Sequence, residues 1–226
     1  MVATIAIELA LAGWVIIRYS TSTAKRLIVA LLICLAAFQL AEFNVCSSAP
    51  VDLFWSRFGY IFITALPPLG IHLILKLRGE SRPKLLASSY ALGGIFAATF
   101  AFSSTGLNHG VCSGNYVIFI LSNSLGHLYQ IYYFSLVLAG LWLARLPLPG
   151  KASPGRKSSL NWMIIAYLAF CLPTFIINFL IPSTKIAVPS IMCGFAVGFA
   201  IIIGLKVAPL ALKRSPIAIA VSKLVR

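Results

Sequence analysis

Acidic side chains are almost missing from this chain: Glu8, Glu42, Asp52 and Glu80 are the only four carboxylates in 226 residues. No two of them stand at the spacing of a catalytic acid pair, and HExxH, GxSxG and phosphate-loop patterns are absent too. Histidine is as scarce: His72, His109 and His127 fall at three different depths of the apolar runs, which excludes paired axial ligation of a haem. A retinal-type Schiff base needs a lysine in the middle of the last apolar run, whereas Lys206 stands at its end. Charged residues make up 10% of the chain and hydrophobic ones 60%. An ordinary soluble domain carries roughly 25% charge, so a soluble globule is excluded. Internal repeats, heptad runs and low-complexity tracts are also missing, and with them the repeat signature of many transporters.

What remains is apolar sequence cut into lengths that suit a bilayer. Hydrophobic runs cover 1–17, 27–46, 53–77, 85–103, 116–144, 160–181 and 186–208. Seven spans of about 21 residues take up roughly 150 residues, leaving no room for a soluble catalytic domain. The fold class expected is therefore all-α, a polytopic seven-transmembrane helix bundle over 1–208 followed by a basic amphipathic tail over 209–226. The run at 116–144 is too long for one span and is interrupted at Ser122-Asn-Ser-Leu-Gly126, so its first part is expected as an outer turn or re-entrant piece. The membrane helix then runs from about His127 to Arg145. Pro67-Pro68, Pro173 and Pro189 are expected to kink helices three, six and seven. The segment 145–158, rich in proline, glycine and cations, reads as the longest flexible linker.

Lysine and arginine number 18 and give a net charge of +14. In a soluble protein that excess points to nucleic acid; in a membrane protein it marks cytoplasmic loops and anionic lipid. With the N-terminus outside, sixteen of the eighteen cations fall on the inner side, and only Arg57 and Lys185 do not. The positive-inside rule thus puts the C-terminus in the cytoplasm. The first run has its first cation, Arg18, after it, the reverse of a signal peptide, so it is expected to be retained as helix one.

Cys34, Cys171 and Cys193 lie inside spans and read as small apolar packers. Cys46 ends helix two and Cys112 sits in the loop after helix four. Both belong to the outer face, where an oxidising exterior allows a disulfide that pins the 104–115 loop over the bundle.

Ionisable groups inside a span are costly, roughly 2.5 kcal/mol or more at the centre, and usually face the bundle interior. Glu8, Glu42 and Arg57 all fall in the outer third to half of the bilayer at about 1.5 Å per residue. Glu42 and Arg57 are expected to pair across the short 47–52 turn. At the same level lie Asn44, Trp55, Tyr60, Asn123, His127, Gln130 and Asn178, with Tyr129, Tyr132 and Tyr133 at i, i+3 and i+4 on one stripe of helix five. Such a stripe of hydroxylated rings suits the wall of a site for an amphipathic small ligand. The expected contacts are Glu42, Trp55, Arg57, Tyr60, His127, Tyr129, Tyr132, Tyr133 and Asn178. His72, after the proline pair, is placed for proton transfer or, more simply, for packing.

The segment Trp55-Ser-Arg57-Phe-Gly-Tyr60, the Pro67-Pro68 pair and the closing Leu-Arg78-Gly79 resemble the N-terminal seven-helix sensor region of bacterial histidine kinases. The break before Tyr129-Gln-Ile-Tyr-Tyr133 and the helix pair Asn161 to Ile181 and Ile186 to Lys206 extend the resemblance over nearly the whole chain. It implies ligand contact at Trp55, Arg57 and Tyr60 and supplies no catalytic residue. Members of that family continue into kinase or cyclase domains, whereas this chain has 18 residues after helix seven. It is therefore expected to act through another protein, or to be a sensor domain without its kinase.

The function expected is that of a receptor-like sensor or accessory subunit in the plasma (inner) membrane. It would bind a small molecule or lipid, need no cofactor or metal, contact membrane lipid, and signal to a protein partner at the cytoplasmic face rather than to nucleic acid. The alternatives are a transporter, channel or lipid-handling protein using the same cavity, and a small membrane enzyme acting on lipid with Glu42, His127 or His72 as acid or base. Topology is tested by tag accessibility in intact cells. A tag at the C-terminus should be reached only after permeabilisation and one in the 104–115 loop before it; the reverse would overturn every depth above.

Overall fold

The computed structural model describes residues 1–47, 53–103, 107, 110–113, 116–148, 153–181 and 188–215. It is mostly helical: α1 (Val2–Arg18), α2 (Thr23–Ser47), α3 (Leu53–Arg78), α4 (Pro83–Phe102), α5 (Asn123–Arg145), α6 (Pro154–Leu180) and α7 (Val188–Ile202). The last helix continues without a break through a π-helical turn, Ile203–Val207, into the short α8, Ala208–Ala211. Between α4 and α5 stands a small antiparallel hairpin, β1 (Val111–Ser113) and β2 (Tyr116–Ile118).

Five of these helices are long and apolar enough to cross a membrane: α2, α3, α4, α6 and the 24-residue rod Val188–Ala211. α1 has only 17 residues. In α5 the polar Ser124, His127 and Gln130 dilute the first turns. The outward surface is strongly apolar, with Phe102 86% and Phe179 85% exposed among many exposed Leu and Ile side chains. In water such a surface would aggregate, whereas hydrocarbon accepts it at no cost.

α3 is the central helix, packed against α2, α4, α5 and α6. Its buried face runs through Tyr60, Ile63, Pro67, Gly70, Ile71 and Ile74. Gly70 is required there, because a Cβ at that position would stand 2.0 Å from Tyr167 Oη. α1 meets its neighbours through Glu8, Ala12 and Val15, the i, i+4, i+7 stripe of an amphipathic helix, except that its first member is a carboxylate.

The bundle has two unlike ends. At one, cations gather and satisfy helix C-termini, whose last carbonyls lack intrahelical donors. Lys25 Nζ donates to the carbonyls of Ile16 (2.7 Å) and Tyr19 (2.6 Å) at the end of α1. Arg78, 2% exposed, donates through Nη1 to Leu143 and Leu146 (2.7 Å each) and through Nη2 to Pro147 (2.8 Å), clamping α3 to the end of α5. Gly79 adopts φ +69°, and the Gly79 and Glu80 amides bond back to Lys76 and Leu75. This glycine-terminated stop turns the chain so that the Glu80 carboxylate meets Arg78, with Arg82 on its other oxygen. At the same end Ser20 and Ser215 bond to the carbonyls of Lys213 and Arg18 (2.9 Å each), tying the chain after α8 to the α1–α2 junction.

The structure refines several boundaries. Of the turn or re-entrant piece expected before α5, the segment forms a turn, the β hairpin, and α5 starts at Asn123. α6 begins at Pro154, taking in residues expected in the 145–158 linker, because proline with Ser153 before it suits a first helical turn. Pro189 likewise lies in the first turn of α7 and so causes no mid-helix break, while Pro67, Pro68 and Pro173 are interior. Residues 216–226 of the tail, His109 and Lys185 lie outside the described residues.

Glu80 lies beyond the end of α3, and its hydrogen bond to the Arg78 guanidinium holds its carboxyl below the ordinary value of 4.5. A carboxylate held low only in the folded state stabilises the fold above its unfolded pKa, and that contribution is lost as pH falls through the depressed folded value. Thermal unfolding in detergent should show the wild type more stable than Glu80→Gln at neutral pH, with the margin shrinking below about pH 4. A margin unchanged by acid would mean that the carboxylate is not held by Arg78.

A candidate ligand cavity beneath the disulfide-bonded hairpin

The end opposite the cations is closed by covalent and backbone ties. Cys46, at the end of α2, is bonded to Cys112 in β1, with Cα atoms 5.2 Å apart, as the sequence led us to expect. Cys34, Cys171 and Cys193 are free and buried. The Gly110 amide donates to Ser56 Oγ of α3 (3.1 Å), and a side chain at Gly110 would collide with Val117 and Val45. The Val117 amide donates to Ser190 Oγ of α7 (2.9 Å), and Ser190 in turn hydrogen-bonds the Glu42 carboxylate of α2. The hairpin is thus anchored to α2, α3 and α7.

Beneath it lies a cavity of about 690 Å³, within the range of small-molecule sites. Tyr60 and Ile63 come from α3, residues 118–122 from β2 and the strand's continuation, and Val188, Pro189 and Met192 from α7. α5 contributes Gly126, His127, Tyr129, Gln130, Tyr133 and Phe134. Of the nine ligand contacts expected from sequence, four line it: Tyr60, His127, Tyr129 and Tyr133. A second cavity of about 700 Å³ lies at the cationic end between α5 and α6, lined by Arg145, Lys157 and Asn161 over apolar residues, and holds none of the nine.

Beside the cavity, a proline sets the contact between α3 and α5. Pro68 has no N–H, so the carbonyl of Thr64, four residues earlier, loses its helical donor. The Tyr132 hydroxyl replaces it, donating to Thr64 O at 2.8 Å. Thr64 Oγ1 donates to the Tyr60 carbonyl (2.6 Å) and shares a hydrogen bond with Tyr129 Oη (3.2 Å). All three tyrosines of the α5 stripe are buried, as their spacing required, but they divide the work. Tyr132 bonds α3 and packs on Phe96, while Tyr129 and Tyr133 face the cavity. Gly93 on α4 makes room for this, since a Cβ there would stand 2.9 Å from Tyr132 Oη.

The expected Glu42–Arg57 pair is not formed. Arg57 Nη2 donates to the Ser103 carbonyl (2.9 Å), capping the end of α4, and Arg57 Nε has no partner. Among the described residues, the only ion pairs join Glu80 to Arg78 and Arg82. The reason is helical phase: Glu42 points inward toward α1 and α7, whereas Arg57 leaves α3 toward α4. Trp55 stacks edge-on with Phe54 and Phe58, and neither it nor Asn178 of α6 lines the cavity. His72 Nδ1 lies 3.1 Å from Tyr90 Oη between α3 and α4, remote from the cavity.

Glu42 instead neighbours a second carboxylate. Glu8 is 0% and Glu42 2% exposed, and they lie close enough to act on each other electrostatically. Both Glu8 oxygens and Glu42 Oε1 lack a hydrogen-bond partner. Gln39 alongside donates to the Cys193 carbonyl at 2.7 Å. Sequence reasoning marked Glu8 but left it out of the site; its place on the Glu8–Ala12–Val15 stripe was the available signal. Ser190, Met192 and the hairpin carry no such signal. No protein-family model and no curated protein matches the chain.

Replacing Tyr132 by Phe should leave the Thr64 carbonyl unsatisfied and cost about 1–3 kcal/mol. Pro68→Ala restores a helical donor to that carbonyl, so Tyr132→Phe should be milder in the Pro68→Ala background. Thermal unfolding of the four proteins measures the coupling; equal losses in both backgrounds would contradict the assignment.

Proposed function

We propose that the chain is a seven-span membrane protein, N-terminus outside and C-terminus in the cytoplasm, that binds an apolar or amphipathic small molecule in the hairpin-covered cavity. On this reading α1 and α5 complete the seven spans. The orientation rests on the sixteen of eighteen cations that the helix order assigns to one end. The observation that carries the binding function is the cavity itself: aromatic and aliphatic walls, a few converging polar groups, and a roof tied down by a disulfide.

The shape favours a bound ligand over a transported one. A separate space of about 20 Å³, bounded by Leu31, Leu35, Leu66, Tyr133 and Phe170, shares Tyr133 with the cavity, and Leu73, Ile74 and Leu77 of α3 are buried toward the cationic end. No polar route to the cationic end is needed if the ligand is only sensed. α3 and α5, which carry Tyr60, Tyr129 and Tyr133, are the same two helices that Arg78 clamps at the far end. A ligand that shifts one against the other changes the clamp, which is how occupancy reaches a partner protein at the cytoplasmic face. This agrees with the resemblance to the histidine-kinase sensor region and makes the chain a receptor-like sensor or accessory subunit.

The test uses the full chain in phosphatidylcholine nanodiscs and a diazirine-bearing dodecanol as photoprobe. Labelling at Met192 and Phe134 should be blocked by excess dodecanol and abolished by the cavity-filling Ile63→Trp. Lipid-facing positions such as Phe102 and Phe179 should label regardless. Labelling confined to the lipid-facing positions would overturn the reading.

A further inference from the structure

The cavity of about 700 Å³ at the cationic end occupies the crevice between α5 and α6. Its rim holds Arg145, the last residue of α5, and Lys157, in the first turn of α6, with the Asn161 amide one turn further along α6. Both cations are exposed, no acid lines the cavity, and among the described residues neither cation has an ion-pair partner. Neighbouring cations are engaged elsewhere: Arg78 is held by Glu80 and three carbonyls, and Arg156 lies against Gly79. Beyond the rim the walls are apolar. Leu148, Leu160, Ile164 and Ile165 line them, and Ile165 lies about 12 Å along α6 from Lys157. Ile165 is also 44% exposed, so the crevice opens onto the surface that meets hydrocarbon. Leu146 and Pro147, in the same wall, accept hydrogen bonds from Arg78, which fixes that wall to α3 before any ligand arrives.

We propose that this crevice binds one phospholipid with a net negative headgroup, its phosphate held by Arg145, Lys157 and Asn161 and the first part of an acyl chain lying on Ile164 and Ile165. A guanidinium and an ammonium both donate charge-assisted hydrogen bonds to phosphate oxygens, and the Asn161 amide adds a neutral donor. Basic pockets between membrane helices recognise acidic headgroups by this chemistry. Charge decides among lipids: a zwitterionic headgroup brings its own ammonium to a rim that already holds two cations, whereas an anionic one neutralises them. The apolar wall decides between a lipid and a free phosphate ester, since the ester covers only the rim. The proposal requires the chain to be embedded in a bilayer and is independent of the hairpin-covered cavity at the other end. Because Leu146 and Pro147 belong to the same wall, the lipid sits on the joint that Arg78 makes between α3 and α5.

The test is native mass spectrometry of the full chain released from neutral detergent containing equal amounts of phosphatidylglycerol and phosphatidylcholine. The wild type should retain one phosphatidylglycerol, about tenfold over phosphatidylcholine. Arg145→Gln/Lys157→Gln should lose that preference, while Arg26→Gln/Lys84→Gln, which removes the same charge at the same end outside the cavity, should keep it. Thermal unfolding of both variants in lipid-free detergent should match the wild type; if Arg145→Gln/Lys157→Gln unfolds early, the single Lys157→Gln carries the comparison. Added phosphatidylglycerol should raise the unfolding temperature of the wild type and of Arg26→Gln/Lys84→Gln but not of the cavity variant. Glycerol 3-phosphate at the same concentration should raise none of them, and an equal rise with it would overturn the lipid in favour of a soluble phosphate ester. Equal retention of the two lipids by the wild type would overturn the proposal, as would an equal loss of preference in both double variants, which would mean a diffuse attraction by the whole cationic end. None of these outcomes alters photolabelling at Met192, so the reading of the hairpin-covered cavity stands or falls separately.

Discussion

A polar group without a partner is costly in hydrocarbon, and most of the particular contacts in this bundle answer that one constraint. Pro68 orphans the Thr64 carbonyl, and Tyr132 supplies the donor. Leu143, Leu146 and Pro147 present carbonyls at and just past the end of α5, and Arg78 reaches across from α3 to all three. The end of α1 is satisfied by Lys25 in the same manner and the end of α4 by Arg57. Each such donor comes from another helix or turn, so satisfying the backbone also fixes how the helices sit against one another.

Against that background the exceptions stand out. Glu8 and Glu42 keep three carboxyl oxygens without partners although both side chains are buried. They sit inside the bundle on α1 and α2, away from the cationic end where guanidinium partners are plentiful.

The helical build and the ends of most helices were legible in the sequence, because apolar length and the position of cations report directly on a bilayer. The Cys46–Cys112 bond was legible for a similar reason: both cysteines fall at one end of the same count of spans. The burial of Tyr129, Tyr132 and Tyr133 followed from i, i+3, i+4 spacing, but their separate roles did not, since those depend on which carbonyl Pro68 frees. The Glu42–Arg57 pair was misread because depth along a helix says nothing about its rotation, and the two side chains leave their helices in different directions. The hairpin was not foreseen. Its strands have three residues each and are held by Cys46, Ser56 and Ser190, which are contacts distant in sequence.

The central claim, a cavity beneath the hairpin that does not continue to the cationic end, is tested most directly by thiol accessibility. In a chain with Cys34, Cys171 and Cys193 replaced by Ala, single cysteines at Ile63, Met192, Leu66 and Val137 are exposed in intact cells to a membrane-impermeant methanethiosulfonate. The account predicts that cysteines at Ile63 and Met192 react and that those at Leu66 and Val137, outside the cavity lining, do not. Reaction at all four, extending toward the cationic end, would contradict a closed site and indicate a pathway through the bundle.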